Sequence, residues 1–503
     1  MRAIPAVALS MMCFAGCRAP ASSTPVPDGR APASTAAATS RASLRPFIDS
    51  LADAPEFSNA HWGILIVDPE RGDTLYARNA GKLFMPASNM KILTSATAMA
   101  QLGPDYRYKT TFAARGRVTD GVLDGDLVVI GRGDPSVSDH MLHDAMIPLR
   151  AIADSIASRG IRQVTGRIVA AGDAFPGEVL GFGWSYDDFE DSYSAPTDEL
   201  LFNEGFSELH VHGGDQPGDP VRVETHPARS FPRVHIAART AVPDAESGGH
   251  RRNNTLHVRK DSTTWDVVLE GDIAPRDSAV IEVTDHDPSV SYLAALSEAL
   301  HDKGIAIDGR ETDSTARLDT LATSSSPPLS EILKALMKPS QNQIAEMLFH
   351  TVALEATGYG RADSARAVVQ RQIATWGVAV PTEAVVRDGS GLSRYDYISP
   401  RTVVRILDAM RRMPSFPVYY DALPIAGVDG TIRNRMKGTP AENNVHAKTG
   451  SVALARSLSG YVTTANGRML IFSFLCNNWT VPVRSVEHVQ DAIAARLAGL
   501  ELR

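Results

Sequence analysis

Lysine is scarce in this 503-residue chain: of 50 basic residues only Lys82, Lys91, Lys109, Lys260, Lys303, Lys334, Lys338, Lys437 and Lys448 are lysine, and the rest are arginine. A motif that requires lysine therefore seldom arises by accident. Cysteine is scarcer still, at Cys13, Cys17 and Cys476. Cys476 alone lies in a stretch with the character of a folded domain, which excludes an intramolecular disulfide there. Its setting, the apolar run Leu470–Cys476, makes it a core residue rather than a nucleophile. Zinc-ligand spacings are absent, and no metal or cofactor is expected; His210 and His212 can share a strand face but lack a third ligand and are read as solvent-facing. Positive charge is not in excess either. Lys+Arg 50 against Asp+Glu 58 gives a net charge of -8, which argues against nucleic acid or an anionic membrane surface as partner. What is present, 43% hydrophobic and 21% charged residues, is the composition of globular protein.

The N-terminus, MRAIPAVALSMMCFAGC, places one arginine before an apolar stretch too short to span a bilayer. This fits a secretory signal over residues 1–16, so export is expected. Phe14-Ala15-Gly16-Cys17 resembles the lipobox of bacterial lipoproteins, which makes Cys17 the lipidation candidate and a lipid anchor the one expected membrane contact. Residues 17–42, rich in Ala, Ser, Thr and Pro, cannot bury a core and read as a tether.

Beyond the tether, Trp62–Asp68 and Asp73–Ala77 form a hairpin pattern, and residues 88–102 read as a helix capped by Ser88 or Asn89 and stopped by Gly103-Pro104. From Tyr106 to about Thr320 short strands dominate, with helical character at 144–159 and 289–303. Helical segments return near 328–355, 361–376 and 399–412. The chain closes with a hairpin through an Asn466-Gly467 turn and a helix over 484–499. The opening hairpin and the closing hairpin are expected to be halves of one antiparallel sheet flanked by helices, an α+β arrangement interrupted by a strand-rich insertion.

Three short motifs carry chemistry. Ser88-Asn89-Met90-Lys91 puts a hydroxyl and an amine a helical turn apart, so that the lysine can reach the serine proton. Ser340-Gln341-Asn342 supplies a proton-relaying hydroxyl and an amide within three residues. Lys448-Thr449-Gly450-Ser451 lies on a strand where Lys448 and Gly450 share a face, and the bare Gly450 is expected to let a substrate approach the backbone. Each is common alone. Together and in this order they are the signatures of the β-lactamases and penicillin-binding proteins, and two of them draw on the small lysine supply.

Spacing selects within that group. Ser88 and Ser340 stand 252 residues apart, far more than the compact helical segment between these motifs in class A β-lactamases. The chain resembles the D-alanyl-D-alanine carboxypeptidase/endopeptidase family typified by penicillin-binding protein 4, whose transpeptidase-like domain carries a large insertion after the first motif. Gly131-Arg132-Gly133-Asp134-Pro135, Asp388–Arg394 and Leu423–Thr431 resemble further stretches of that family. The resemblance implies a β-lactamase/transpeptidase-like domain built from 43–105 and 321–503, with 106–320 inserted. It also implies catalytic roles for Ser88, Lys91, Ser340, Asn342 and Lys448, and substrate binding by Thr449, Gly450 and Ser451. The implied partners are peptidoglycan peptides ending in D-Ala-D-Ala, with β-lactams as covalent inhibitors, in the bacterial periplasm. Asp388–Arg394, rich in turn-tolerant residues, is expected to shape the cleft rim. Two competing readings use the same motifs. A β-lactamase would need fast deacylation, yet no glutamate-containing loop resembles the class A deacylation base. A non-catalytic β-lactam-sensing or wall-binding protein would be expected to have lost motif residues, and all are present.

Overall fold

Strands from the two ends of the chain meet in one sheet. In a computed structural model, β1 (His61–Asp68) and β2 (Asp73–Arg78) join β3 (His446–Val452), β4 (Ala455–Thr463) and β5 (Met469–Asn477) in the order β2-β1-β5-β4-β3, with every neighbour antiparallel. The structure describes residues 41–502 apart from 190, 228–232, 243–245, 248–249, 252, 261–265 and 313–314. The expected signal, Cys17 and most of the tether lie outside the described residues; Arg41–Ser43 form a single helical turn that leads into the helix Leu44–Ala52.

Central strand β5 is buried on both faces, which is why it reads as an unbroken apolar run. Leu470, Phe472, Phe474 and Cys476 point into a core with the terminal helices Leu44–Ala52 and Val483–Ala498. Ile471 and Leu475 point the other way, into a core that holds α1 (Met90–Gln101), α2 (Asn342–Thr357) and the helix Pro400–Arg411. Burial also pushes the Cys476 thiol pKa up, as befits a core residue.

Between the two halves, Lys109–Thr119 pairs with Val122–Ile130 and with Leu318–Ser325 in a six-stranded sheet. The helices Met146–Ser158 and Pro288–Asp302 pack on it. The strand-rich part thus runs to Ser325, and a division at 320 falls inside a strand. A smaller three-stranded sheet places Phe206–His212 between Ser278–Thr284 and Arg222–His226. There His210 and His212 lie on the strand face opposite the buried Leu209 and Val211, partly exposed as expected, with His210 bonded to Glu208 at 2.8 Å and its ring centroid 4.1 Å from that of His226. All the described residues fall within one contiguous unit, Thr39–Arg503.

One helix differs from the sequence reading for a local reason. The expected helix over 328–355 is broken into Leu329–Met337 and α2, because Pro339 cannot donate within a helix and Ser340 adopts a left-handed backbone, φ 73°. The strand that carries Lys448 ends at Val452, and the chain turns at Leu454, φ 60°, into a second strand, Ala455–Thr463.

Candidate active site

The first motif sits on a helical turn, Ala87–Asn89, which leads into α1. Asn477 of β5 clamps the chain just upstream, its Oδ1 accepting from the Met85 N–H at 2.9 Å and its Nδ2 donating to the Met85 carbonyl at 3.2 Å. Ser457 Oγ donates to the Pro86 carbonyl at 2.8 Å. Ala87 is held in the left-handed region at φ 48°, a backbone that costs roughly 1–3 kcal/mol and survives where the surroundings dictate it. Asn89 does not cap the helix. Its Nδ2 instead donates to the Lys448 carbonyl at 2.9 Å, which ties the first motif to the third.

Gly450 has a different reason from the one its strand position suggests. A Cβ there would collide with Ser457 Oγ and lie 2.5 Å from the Pro86 carbonyl oxygen and 3.0 Å from the Ser88 nitrogen. The missing side chain lets the serine turn press against the edge strand β3. Gly391 does the same from below, since a Cβ on it would strike the Ala87 carbonyl.

Lys91 is fully buried, and its Nζ has three partners: Ser88 Oγ at 2.9 Å, Asn342 Oδ1 at 2.5 Å and the Ser390 carbonyl at 2.8 Å. Two of the three can only accept a proton. A neutral amine donates to those two and turns its lone pair to the Ser88 hydroxyl. Burial lowers the Lys91 pKa to about 7, with the Asp388 and Glu346 carboxylates acting in the opposite direction. Lys448, equally buried, contacts Ser340 Oγ at 2.6 Å and donates to the Thr449 carbonyl at 2.9 Å. Burial, and after it the Lys91 charge, pushes its pKa well below the ordinary lysine value. Thr449 Oγ1 lies 2.7 Å from Thr431 Oγ1, and Ser451 is exposed on the same edge strand. The structure thus brings Ser88, Lys91 and Asn342 into one hydrogen-bonded group and Ser340, Lys448 and Thr449 into another, with Asn89 tying the first motif to the third. Asn342 is committed on both sides, because its Nδ2 donates to the Tyr193 carbonyl at 2.7 Å.

The stretch Asp388–Arg394 is not simply a rim. Asp388, Ser390 and Ser393 are buried, and only its far end approaches the surface, beside the half-exposed Tyr395. It passes beneath Lys91 and supplies the Ser390 carbonyl. Glu346 on α2 accepts the Ser390 N–H at 2.7 Å and the Gly389 N–H at 3.0 Å. Asp388 accepts the N–H groups of Gly391 and Ser393, each at 2.7 Å, and the Trp184 indole N–H at 2.9 Å. Burial, then the Asp388 charge, raises the pKa of Glu346 to about 8 and drives that of Asp396 well up. Glu346, Asp396 and Trp184 carried no signal in the sequence. Among the described residues no group of three or more His, Cys, Asp or Glu could hold a metal ion, and no helix is long and apolar enough to cross a membrane.

A serine contacted by a buried lysine, flanked by a Ser-x-Asn turn and a Lys-Thr-Gly edge strand on an α+β fold, defines a serine acyl-transfer enzyme of the penicillin-recognising class. The chain belongs to the D-Ala-D-Ala carboxypeptidase 3 (S13) family, whose model matches residues 44–500. It is 34% identical over 480 residues to the D-alanyl-D-alanine carboxypeptidase of Actinomadura sp. (strain R39), an alignment covering 90% of this chain and 84% of that protein. It is 26% identical over 441 residues to the D-alanyl-D-alanine carboxypeptidase DacB of Haemophilus influenzae, covering 85% and 87%. The crystal structure of penicillin binding protein 4 (dacB) from Haemophilus influenzae shares the fold, with a TM-score of 0.72 at 24% identity over 86% of this chain and 94% of that one. The same protein complexed with a β-lactam gives 0.68 at 23% identity, over 87% and 94%. The resemblance carried by the motifs and the expected fold class are both borne out.

Proposed function

We propose that D-alanyl-D-alanine carboxypeptidase activity runs through an ester on Ser88. Ser88 Oγ attacks the carbonyl carbon of the D-Ala-D-Ala bond while neutral Lys91 takes its proton. The backbone N–H groups of Ser88 and Ser451 receive the oxyanion. The C–N bond then breaks, and the proton taken by Lys91 passes on, through Ser340 in contact with Lys448, to the nitrogen of the departing D-alanine. Water hydrolyses the ester and restores Ser88. Asn342 orients the substrate amide, and the hydroxyls of Thr449 and Ser451 meet the terminal carboxylate beside the bare Gly450. When the departing amine belongs to a cross-linked peptide, the same chemistry is endopeptidase activity. A β-lactam opened by Ser88 leaves the enzyme acylated, because its amine stays tethered.

The observation that carries this reading is the set of Lys91 partners, two obligate acceptors and the Ser88 hydroxyl, around a buried amine. The site is assigned to a transpeptidase-like domain built from residues 43–105 and from 326 onward, with the strand-rich part between them inserted, and the chain to the bacterial periplasm through export and lipidation at Cys17. Intact-protein mass spectrometry after incubation with penicillin, and separately with a D-Ala-D-Ala pentapeptide, tests the chemistry. An adduct that disappears in Ser88→Ala, together with release of D-alanine, is expected. An adduct that persists in that variant would overturn the nucleophile, and rapid penicillin hydrolysis would favour a β-lactamase. For the anchor, Cys17→Ser is expected to release the chain from membranes.

A further inference from the structure

The inserted part of the chain meets the Ser340–Asn342 motif through hydrogen bonds to successive side chains. Gln341 Nε2 donates to the Glu204 carboxylate at 2.5 Å, while Gln341 Oε1 accepts from the Gln343 N–H at 2.7 Å. Asn342 Nδ2 donates to the Tyr193 carbonyl at 2.7 Å. Gln343 Nε2 donates to the carbonyls of Ser192 and Ala195, at 2.8 Å and 3.3 Å. Every side chain from 341 to 343 is therefore held from the inserted part, directly beside the left-handed Ser340.

Glu204 is built for that contact. It is 5% exposed, and its other carboxylate oxygen accepts from Ser138 Oγ at 2.7 Å. Asn203 and Glu204 both adopt left-handed backbone, φ 46° and 58°, a conformation unfavourable for residues with side chains that persists only where the neighbours impose it. The neighbours are visible: Asn203 Oδ1 accepts from the Asp139 N–H at 2.9 Å and its Nδ2 donates to the Phe206 carbonyl at 2.7 Å. The strained turn aims the carboxylate at Gln341. A second arm reaches the loop beneath Lys91, where the Trp184 indole donates to Asp388 and the Gly183 carbonyl accepts the Arg394 N–H at 3.2 Å.

We propose that the inserted part is a clamp that orients the active site, in which Glu204 is a positioning residue acting through Gln341 on Ser340 and Asn342. This rests on the assignment of Ser340 and Asn342 to the reaction. The hydrogen bonds of the Glu204 carboxylate go to Ser138 and Gln341 and not to Ser88 or either site lysine, so its effect passes through the turn that carries the two side chains. Acyl transfer is sensitive to displacements of that turn well under the size needed to unfold it.

The test uses the full chain and follows acylation by penicillin against concentration, giving the acylation rate constant separately from half-saturation, with the thermal midpoint measured in parallel. Gln341→Glu sets two carboxyl groups face to face, and the acylation rate constant is expected to fall about 10- to 100-fold with half-saturation little changed. Adding Glu204→Gln to that variant recreates a donor and an acceptor in swapped positions, and is expected to recover the rate to within about threefold of the unaltered chain. If Gln341→Glu does not fold, Gln341→Met removes the donor without adding charge and is expected to slow acylation in the same direction. An unchanged rate constant in the single variant that folds overturns the proposal. So does a double variant no faster than Gln341→Glu, or a loss confined to the thermal midpoint. Absence of acylation in the unaltered chain overturns the functional reading, and this inference with it.

Discussion

Two lysines, buried to the same degree and bonded to serine hydroxyls, sit in unlike surroundings. Lys91 lies near two buried carboxyl groups, Asp388 and Glu346, which oppose the effect of burial on its amine. For Lys448 no carboxylate opposes burial, and the charge of Lys91 acts in the same direction as burial. The outcome is a Lys91 pKa lowered to about 7 against opposing carboxylates, and a Lys448 pKa pushed well below the ordinary lysine value with no carboxylate opposing it. Burial alone would make two poor cations. The acidic cluster under Lys91 returns one of them to the range in which a proton is both taken and given up at neutral pH, which is what a base that must later release its proton requires.

The largest way to break this contrast is to remove the amine that titrates. Lys91→Ala is expected to slow acylation of Ser88 by about 10²–10⁴-fold, the usual worth of a positioned general base. An unchanged acylation rate would remove Lys91 from that role. Lys448→Ala is expected to cost less, about 10²-fold, at the lower end of that range. The pH profile sharpens the comparison. Acylation needs neutral Lys91, so the rate should fall about tenfold per pH unit below pH 7 and level off above it. That limb should survive in Lys448→Ala. Its disappearance there would assign the titration to Lys448 and reverse the two roles.

The same contrast marks how far the sequence could be read. Lys91 and Lys448 were found because lysine is rare and the partners Ser88, Gly450 and the Ser340–Asn342 turn lie within short motifs. Order and spacing then selected the family and the split sheet. The acidic floor was not legible, since Glu346 on α2, Asp388 in a loop and Trp184 in the insertion converge only through tertiary packing. Asp388–Arg394 looked like a rim because turn-forming residues are the same whether a turn is exposed or buried. Gly450 was noticed, but the neighbour that requires it, the Pro86–Ser88 turn, lies more than 360 residues earlier. The helix break at Pro339-Ser340 had a local signal in the proline, while the left-handed Ser340 is imposed by its surroundings.

The smallest expected effect probes the floor itself. Asp388→Asn keeps the shape of the side chain and one acceptor oxygen, enough for the Ser393 and Trp184 donors at the loss of the Gly391 one, and removes a charge that raises the Lys91 pKa. With that charge gone, the protonated amine loses stabilisation, so the folded pKa of Lys91 falls. The acidic limb of the acylation profile should then move below pH 7, by on the order of one pH unit. The plateau rate above the limb should change less than in either lysine variant, because the base is still present and already neutral there. A limb that stays at pH 7, or moves upward, would show that Glu346 or the burial of Lys91 sets the value without Asp388. In that case Asp388 would carry no part of the contrast between the two lysines.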